Sequence, residues 1–82
     1  MFDNIPFPIV VIQWDDASTD VGWEEIPKTI EPQVCVTIGF NIKETDDHVL
    51  IASTTDGHAT NARIQIPKKM IIKMEVVKEK PA

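Results

Sequence analysis

The chain has 82 residues, enough for a single domain spanning residues 1–82 and too few for a second core. Cys35 is its only cysteine, so no internal disulfide can form, which argues against a disulfide-rich secreted scaffold. Thirteen acidic against eight basic residues give a formal net charge of −5, so any site for nucleic-acid phosphates must be a local basic feature.

Residues 1–8 are expected to form an irregular N-terminal arm. They carry no basic segment, and Pro6 and Pro8 interrupt the apolar run, so we do not expect a signal peptide here. No apolar stretch approaches the ~20 residues that a membrane helix needs, so we expect a cytoplasmic protein without a membrane partner. Apolar residues then alternate from Ile9 to Trp14, which predicts a first strand.

A polar connection from Asp15 to Gln33 follows, with room for at most one helical turn, around residues 22–26. Val34 to Glu44 then shows the clearest alternation in the chain, which predicts a half-buried strand. Gly39 lies inside this strand, where a missing side chain usually marks a bend. The two alternating sets are Val34, Val36, Ile38, Phe40 and Ile42 on one face, and Cys35, Thr37, Gly39, Asn41 and Lys43 on the other.

Two hairpins follow. A tight turn at residues 45–47 leads into an apolar, β-branched third strand from His48 to Thr55. Asp56-Gly57 marks the next hairpin turn, and a fourth strand runs from Asn61 to Ile66. Pro67 ends that strand because proline cannot donate to a sheet.

The last element is predicted as a strand from Met70 to Val77. A helix competes here, because residues 68–80 contain neither glycine nor proline, but β-branched residues and alternation favour a strand. Residues 67–69 suit a single 3₁₀ turn at the corner, and residues 78–82 a frayed tail.

Five short strands predict an all-β fold: a small, strongly bent, partly open barrel. Such a barrel leaves an unpaired strand on each side. Since the chain is short and lacks disulfides, we expect it to self-associate through these edges. Head-to-tail pairing would give a homo-oligomeric ring of about five to seven subunits.

Residues 36–53, VTIGFNIKETDDHVLIAS, resemble the first motif of the Sm/LSm family, in which a bent strand with a glycine leads through an aspartate turn into an apolar strand. Gly39 corresponds to the glycine, and Asp46 or Asp47 to the turn aspartate. Residues 63–76, RIQIPKKMIIKMEV, take the place of the second motif. The family's Arg-Gly pair and N-terminal helix are absent. A Trp-Asp-Asp-Ala start and an Ile-Pro-Lys end are also similar to marine, cyanophage-type phage proteins, which implies the host cytoplasm.

The resemblance implies a ring that holds single-stranded RNA, or DNA, in loops after the second and fourth strands. These loops contain His48 and the pair Lys68-Lys69. Repeated around a ring, the two lysines would contact phosphates while His48 stacks on a base. The alternative is a solvated turn that keeps an edge soluble. The candidate nucleic-acid-binding residues are Lys43, His48, Arg63, Lys68 and Lys69, with Asp46 and Asp47 in the turn.

Two tryptophans are candidates for a subunit interface. Trp14 suits either the core or an interface, and Trp23, in the polar connection, suits an interface. Met70 and Ile72 in the last strand join this set. A protein-interaction or phage structural module without nucleic-acid binding is therefore the alternative function. A small-molecule site would have to lie between subunits, because so small a barrel fills its own interior.

No pattern indicates catalysis, a cofactor or a metal. The neighbouring carboxylates Asp15-Asp16 and Glu24-Glu25 point in different directions and have nothing nearby to raise a pKa. The spacing of His48 and His58 relative to the aspartates matches no metal site, and Cys35 has no Cys-x-x-Cys partner. We expect a binding protein rather than an enzyme.

Overall fold

The computed structural model describes residues 5–16, 23, 25, 26 and 33–81. Within them the fold is all-β, as the sequence predicts, with five antiparallel strands in one sheet. The last element is a strand rather than a helix, and a 3₁₀ turn covers Lys68–Met70. The strands are β1 (Ile9–Asp15), β2 (Val34–Glu44), β3 (His48–Thr55), β4 (Thr60–Pro67) and β5 (Ile71–Lys78).

The strand order is β4-β3-β2-β1-β5. Each of the first four strands therefore pairs with the next strand in the chain, and β5 pairs with the other side of β1. β4 and β5 are the two edges, and the sheet does not close between them. Each edge strand therefore leaves a row of backbone N–H and C=O groups without a ladder partner in the sheet.

One face of this sheet carries the core. Its buried side chains come from β1, β3 and β4: Val10, Ile12, Trp14, Val49, Ile51 and Ile66. Ile12 and Ile66 are 0% exposed although the described residues form a single sheet, so the sheet must curl around them. Trp14 is part of this core, and its indole Nε1 donates a hydrogen bond to Thr37 Oγ1 at 2.9 Å.

The alternation in β2 is present, but the apolar set faces away from the core. Val36 and Ile38 are 63% and 64% exposed. Thr37 and Gly39 lie on the core face, since their ladder partners in β1 are the buried Ile12 and Val10. The core side of β2 is therefore built from small and polar residues, because the bulky side chains of β1 and β3 already fill the space there.

Gly39 allows β2 and β3 to come unusually close. A Cβ at this position would lie 2.6 Å from the carbonyl oxygen of Ala52 and 2.7 Å from Ile51 Cγ2. The ladder between β2 and β3 then shifts register between Asn41 and Lys43, as at a β-bulge. Close approach followed by a bulge bends the strand, in keeping with the bend predicted at the glycine.

The connection between β1 and β2 contains the segment around residues 22–26 where the sequence predicts a helical turn. Residues 22 and 24 lie outside the described residues, and Trp23, Glu25 and Ile26 have no regular structure, so the helical turn predicted there is not assessed. β5 includes Lys78, so the irregular tail begins one residue later than predicted. Among the described residues, no helix is long and apolar enough to cross a membrane.

Candidate nucleic-acid interface

The turn between β2 and β3 and the 3₁₀ turn between β4 and β5 meet at one end of the sheet. They do so because β3 and β4 are antiparallel, with His48 opposite Pro67, so the start of one strand lies beside the end of the other. Between the two segments lies an open cavity of about 580 Å³, within the range of small-ligand sites. It is lined by Asp46, Asp47, His48, Pro67, Lys68, Lys69 and Met70.

Backbone and side-chain hydrogen bonds hold the first segment in place. The Thr45 backbone N–H donates to the His48 carbonyl at 2.9 Å, and Thr45 Oγ1 accepts from the His48 backbone N–H at 3.1 Å. The Lys68 backbone N–H donates to the Asp47 carbonyl at 2.7 Å, which joins the two segments. The side chains of Asp46, Asp47 and His48 are all exposed at this fixed turn.

The two lysines of the cavity are not equivalent. Lys68 Nζ lies 3.3 Å from Glu44 Oε2, and both side chains are 39% exposed. Lys69 is exposed, and it makes no ion pair or side-chain hydrogen bond with any residue that the structure describes. Among the described residues, the cavity therefore presents one ammonium group paired with a carboxylate, Lys68, and one without a partner, Lys69.

Glu44 is held from a second side. Asn41 Nδ2 donates to Glu44 Oε1 at 2.8 Å. This hydrogen bond, and then the neighbouring Lys68 ammonium, lower the pKa of the Glu44 carboxyl below its ordinary value. Neither Asn41 nor Glu44 was a candidate from the sequence, and no motif there distinguishes them.

The other cationic candidates lie away from the cavity. Lys43 pairs with Leu50 across the β2–β3 ladder, and Arg63 pairs with Ala52 across the β3–β4 ladder. Neither residue lines the cavity. The structure thus brings together His48, Lys68 and Lys69 and leaves Lys43 and Arg63 on the strands behind them.

The residues predicted to form a subunit interface lie in different parts of the structure. Trp14 is 8% exposed and belongs to the core, the first of its two predicted roles. Met70 lines the cavity, and Ile72 is 56% exposed on the edge strand β5. Trp23 and Ile26 are almost fully exposed, with fractions of 104% and 94%.

The second hairpin turn is independent of the cavity. Asp56 Oδ1 accepts hydrogen bonds from the backbone N–H groups of His58 and Ala59, both at 2.8 Å. These bonds, the one from Ala59 first, lower the pKa of the Asp56 carboxyl. In the part of the chain described, no group of three or more His, Cys, Asp or Glu side chains could hold a metal ion.

The chain matches no protein-family model, no curated protein and no solved structure.

Proposed function

We propose that the chain is a non-enzymatic, Sm-like protein that binds single-stranded nucleic acid, RNA in the first place, as a homo-oligomeric ring of about five to seven subunits. The observation that carries the proposal is the cavity itself. It joins an exposed histidine, His48, to an exposed cation without a partner among the described residues, Lys69.

These two side chains suit the two parts of a nucleotide. Lys69 can contact a phosphate as a charge, and the face of His48 can stack on an unpaired base, which needs no particular sequence. The Asp47 carbonyl is already bonded to Lys68, so the cavity is held open by the backbone and not by the ligand. A prearranged site avoids part of the ordering cost of binding.

The net charge of −5 opposes the binding of phosphates, so the proposal requires a local cation that is repeated along the ligand. Within the described part of the chain, the cavity presents a single ammonium group without a partner, that of Lys69, beside the carboxylates of Asp46 and Asp47. A ring repeats this cation at regular spacing along one strand, so several weak contacts act on the same ligand. Binding should therefore depend on assembly and weaken with salt.

The two edges of the sheet provide the means of assembly. Among the described residues, β4 and β5 each have an unpaired outer edge. On β5, the apolar side chains of Ile72, Val76 and Val77 are 56%, 47% and 64% exposed. Pairing β4 of one subunit with β5 of the next would complete both ladders and cover this surface. The two edges differ, so the contact is head-to-tail, and it gives a ring when the rotation between subunits closes.

The test is fluorescence anisotropy of a labelled U-rich single strand, titrated with the protein at low and moderate salt. We expect saturable binding that weakens with salt and that is lost when Lys68 and Lys69 are both changed to Glu. A matched control changes Lys78 and Lys80, at the other end of β5 and in the tail, to Glu. Equal loss in both variants would mean a non-specific charge effect and would contradict the proposed site.

A second candidate function is supported by a separate observation, the exposed apolar face of β2. Val34, Val36 and Ile38 are 46–64% exposed, and Trp23 and Ile26 are almost fully so. Such surface is typical of protein-interaction sites, which suits the alternative of a phage structural or protein-interaction module. Absence of strand binding at low salt, together with a stoichiometric protein partner recovered from host lysate, would favour this function.

A further inference from the structure

We propose that Glu44 is a counter-charge built into the site, which holds Lys68 away from phosphate so that each subunit offers one binding cation, Lys69. This inference rests on the proposed function and identifies a residue that limits the affinity of the protein for single-stranded nucleic acid. It assigns different roles to Lys68 and Lys69, which the sequence alone does not distinguish.

The geometry anchors the Glu44 carboxylate on both oxygens. Oε1 accepts from Asn41 Nδ2 at 2.8 Å, and Oε2 lies 3.3 Å from Lys68 Nζ. Asn41 is held in β2, and its own Oδ1 is buried with no hydrogen-bond partner in the described part of the chain. A carboxylate fixed in this way keeps its position beside Lys68 at lower entropic cost than a freely rotating side chain.

A phosphate must compete with this carboxylate for the same ammonium group. Exposed ion pairs are weak, so removing Glu44 should raise affinity by only about two- to fivefold per subunit contacted. Several subunits of a ring contacting one strand would multiply this factor. Removing Glu44 should have a larger effect on the number of phosphates that the protein neutralises, because Lys68 would then contact one as well.

That number can be read from the salt dependence. For single strands, the slope of log K against log salt is about −0.7 for each phosphate neutralised. One free lysine per subunit gives a slope of about −0.7 per subunit, and two give about −1.4. The ratio of the two slopes is about two whatever the number of subunits.

The experiment compares wild type with Glu44→Gln, which removes the charge and keeps an oxygen for Asn41. We expect the slope to double, and Lys68→Ala added to Glu44→Gln to restore the wild-type slope. The control is Glu75→Gln, since Glu75 pairs with Lys73 at 2.8 Å outside the cavity; its slope should not change.

The outcomes separate this inference from the proposed function. Binding by wild type and Glu44→Gln with equal slopes overturns the role of Glu44 and leaves the nucleic-acid function standing. No binding by either protein at low salt overturns both. Binding by Glu44→Gln where wild type fails to bind supports the inference in its strongest form.

Discussion

The Lys68 backbone N–H and the Asp47 carbonyl oxygen, 2.7 Å apart, join the two segments that form the cavity. The bond uses main-chain atoms only, so it involves neither the Lys68 ammonium nor the Asp47 carboxylate. It also means that the cavity depends on the pairing of β3 with β4, which brings His48 opposite Pro67. Side-chain substitutions at the lysines should therefore alter binding without dismantling the site.

Changing each lysine singly should separate their contributions. Lys69→Ala should weaken binding of a single strand by about tenfold or more, because a charge-assisted contact is lost in every subunit. Lys68→Ala should have a much smaller effect, because that ammonium is already paired with Glu44. Anisotropy titrations at one salt concentration measure both. A larger effect at Lys68 would contradict the assignment of Lys69 as the binding cation.

Gly39→Ala should destabilise the fold by about 1–3 kcal/mol, as expected for overpacking. The added methyl group would lie 2.6 Å from the Ala52 carbonyl oxygen, which is backbone and cannot rotate away. Urea denaturation followed by tryptophan fluorescence measures the change. Ser53→Ala, at an exposed site in the neighbouring strand, is the control and should stay within about 0.5 kcal/mol of wild type.

Ala62→Gly should stabilise the protein by up to about 1 kcal/mol. Ala62 has φ of +52°, in the left-handed region, which costs an L-residue about 1–2 kcal/mol. Glycine adopts this conformation without that cost. Its greater freedom in the unfolded chain offsets about 0.5–1 kcal/mol of the gain. The control is Ala59→Gly. Ala59 does not have a positive φ, so this change should be neutral or destabilising in the same denaturation experiment.

Alternation in the sequence predicts strands well but not which face of a strand is buried. The predicted bounds of β2 and β3 match the structure because period-two patterns and turn residues are local signals. Thr37, and not Val36, lies on the core face of β2. This choice of face is not a local signal, since it depends on what β1 and β3 place on the same side.

The Asn41–Glu44 contact also depends on the neighbouring strand, so the alternation of β2 does not predict it. Residues three apart in a regular strand point to opposite faces. The register shift between Asn41 and Lys43 changes this parity, so Asn41 pairs with the buried Ile51 and Glu44 with the buried Val49. A bulge depends on the neighbouring strand, and strand periodicity alone does not reveal it.

Stability should fall at acid pH through Asp56. Its folded-state pKa is lowered by the backbone N–H groups of Ala59 and His58, so its contribution is present above the unfolded pKa of about 3.9. As pH falls through the lower folded pKa, the carboxylate is protonated and the contribution is lost. Urea midpoints between pH 6 and 2.5 should therefore fall less steeply in Asp56→Asn than in wild type. Asp46→Asn is the control, because the Asp46 side chain accepts no hydrogen bond from the described residues, and a matching change there would contradict the assignment.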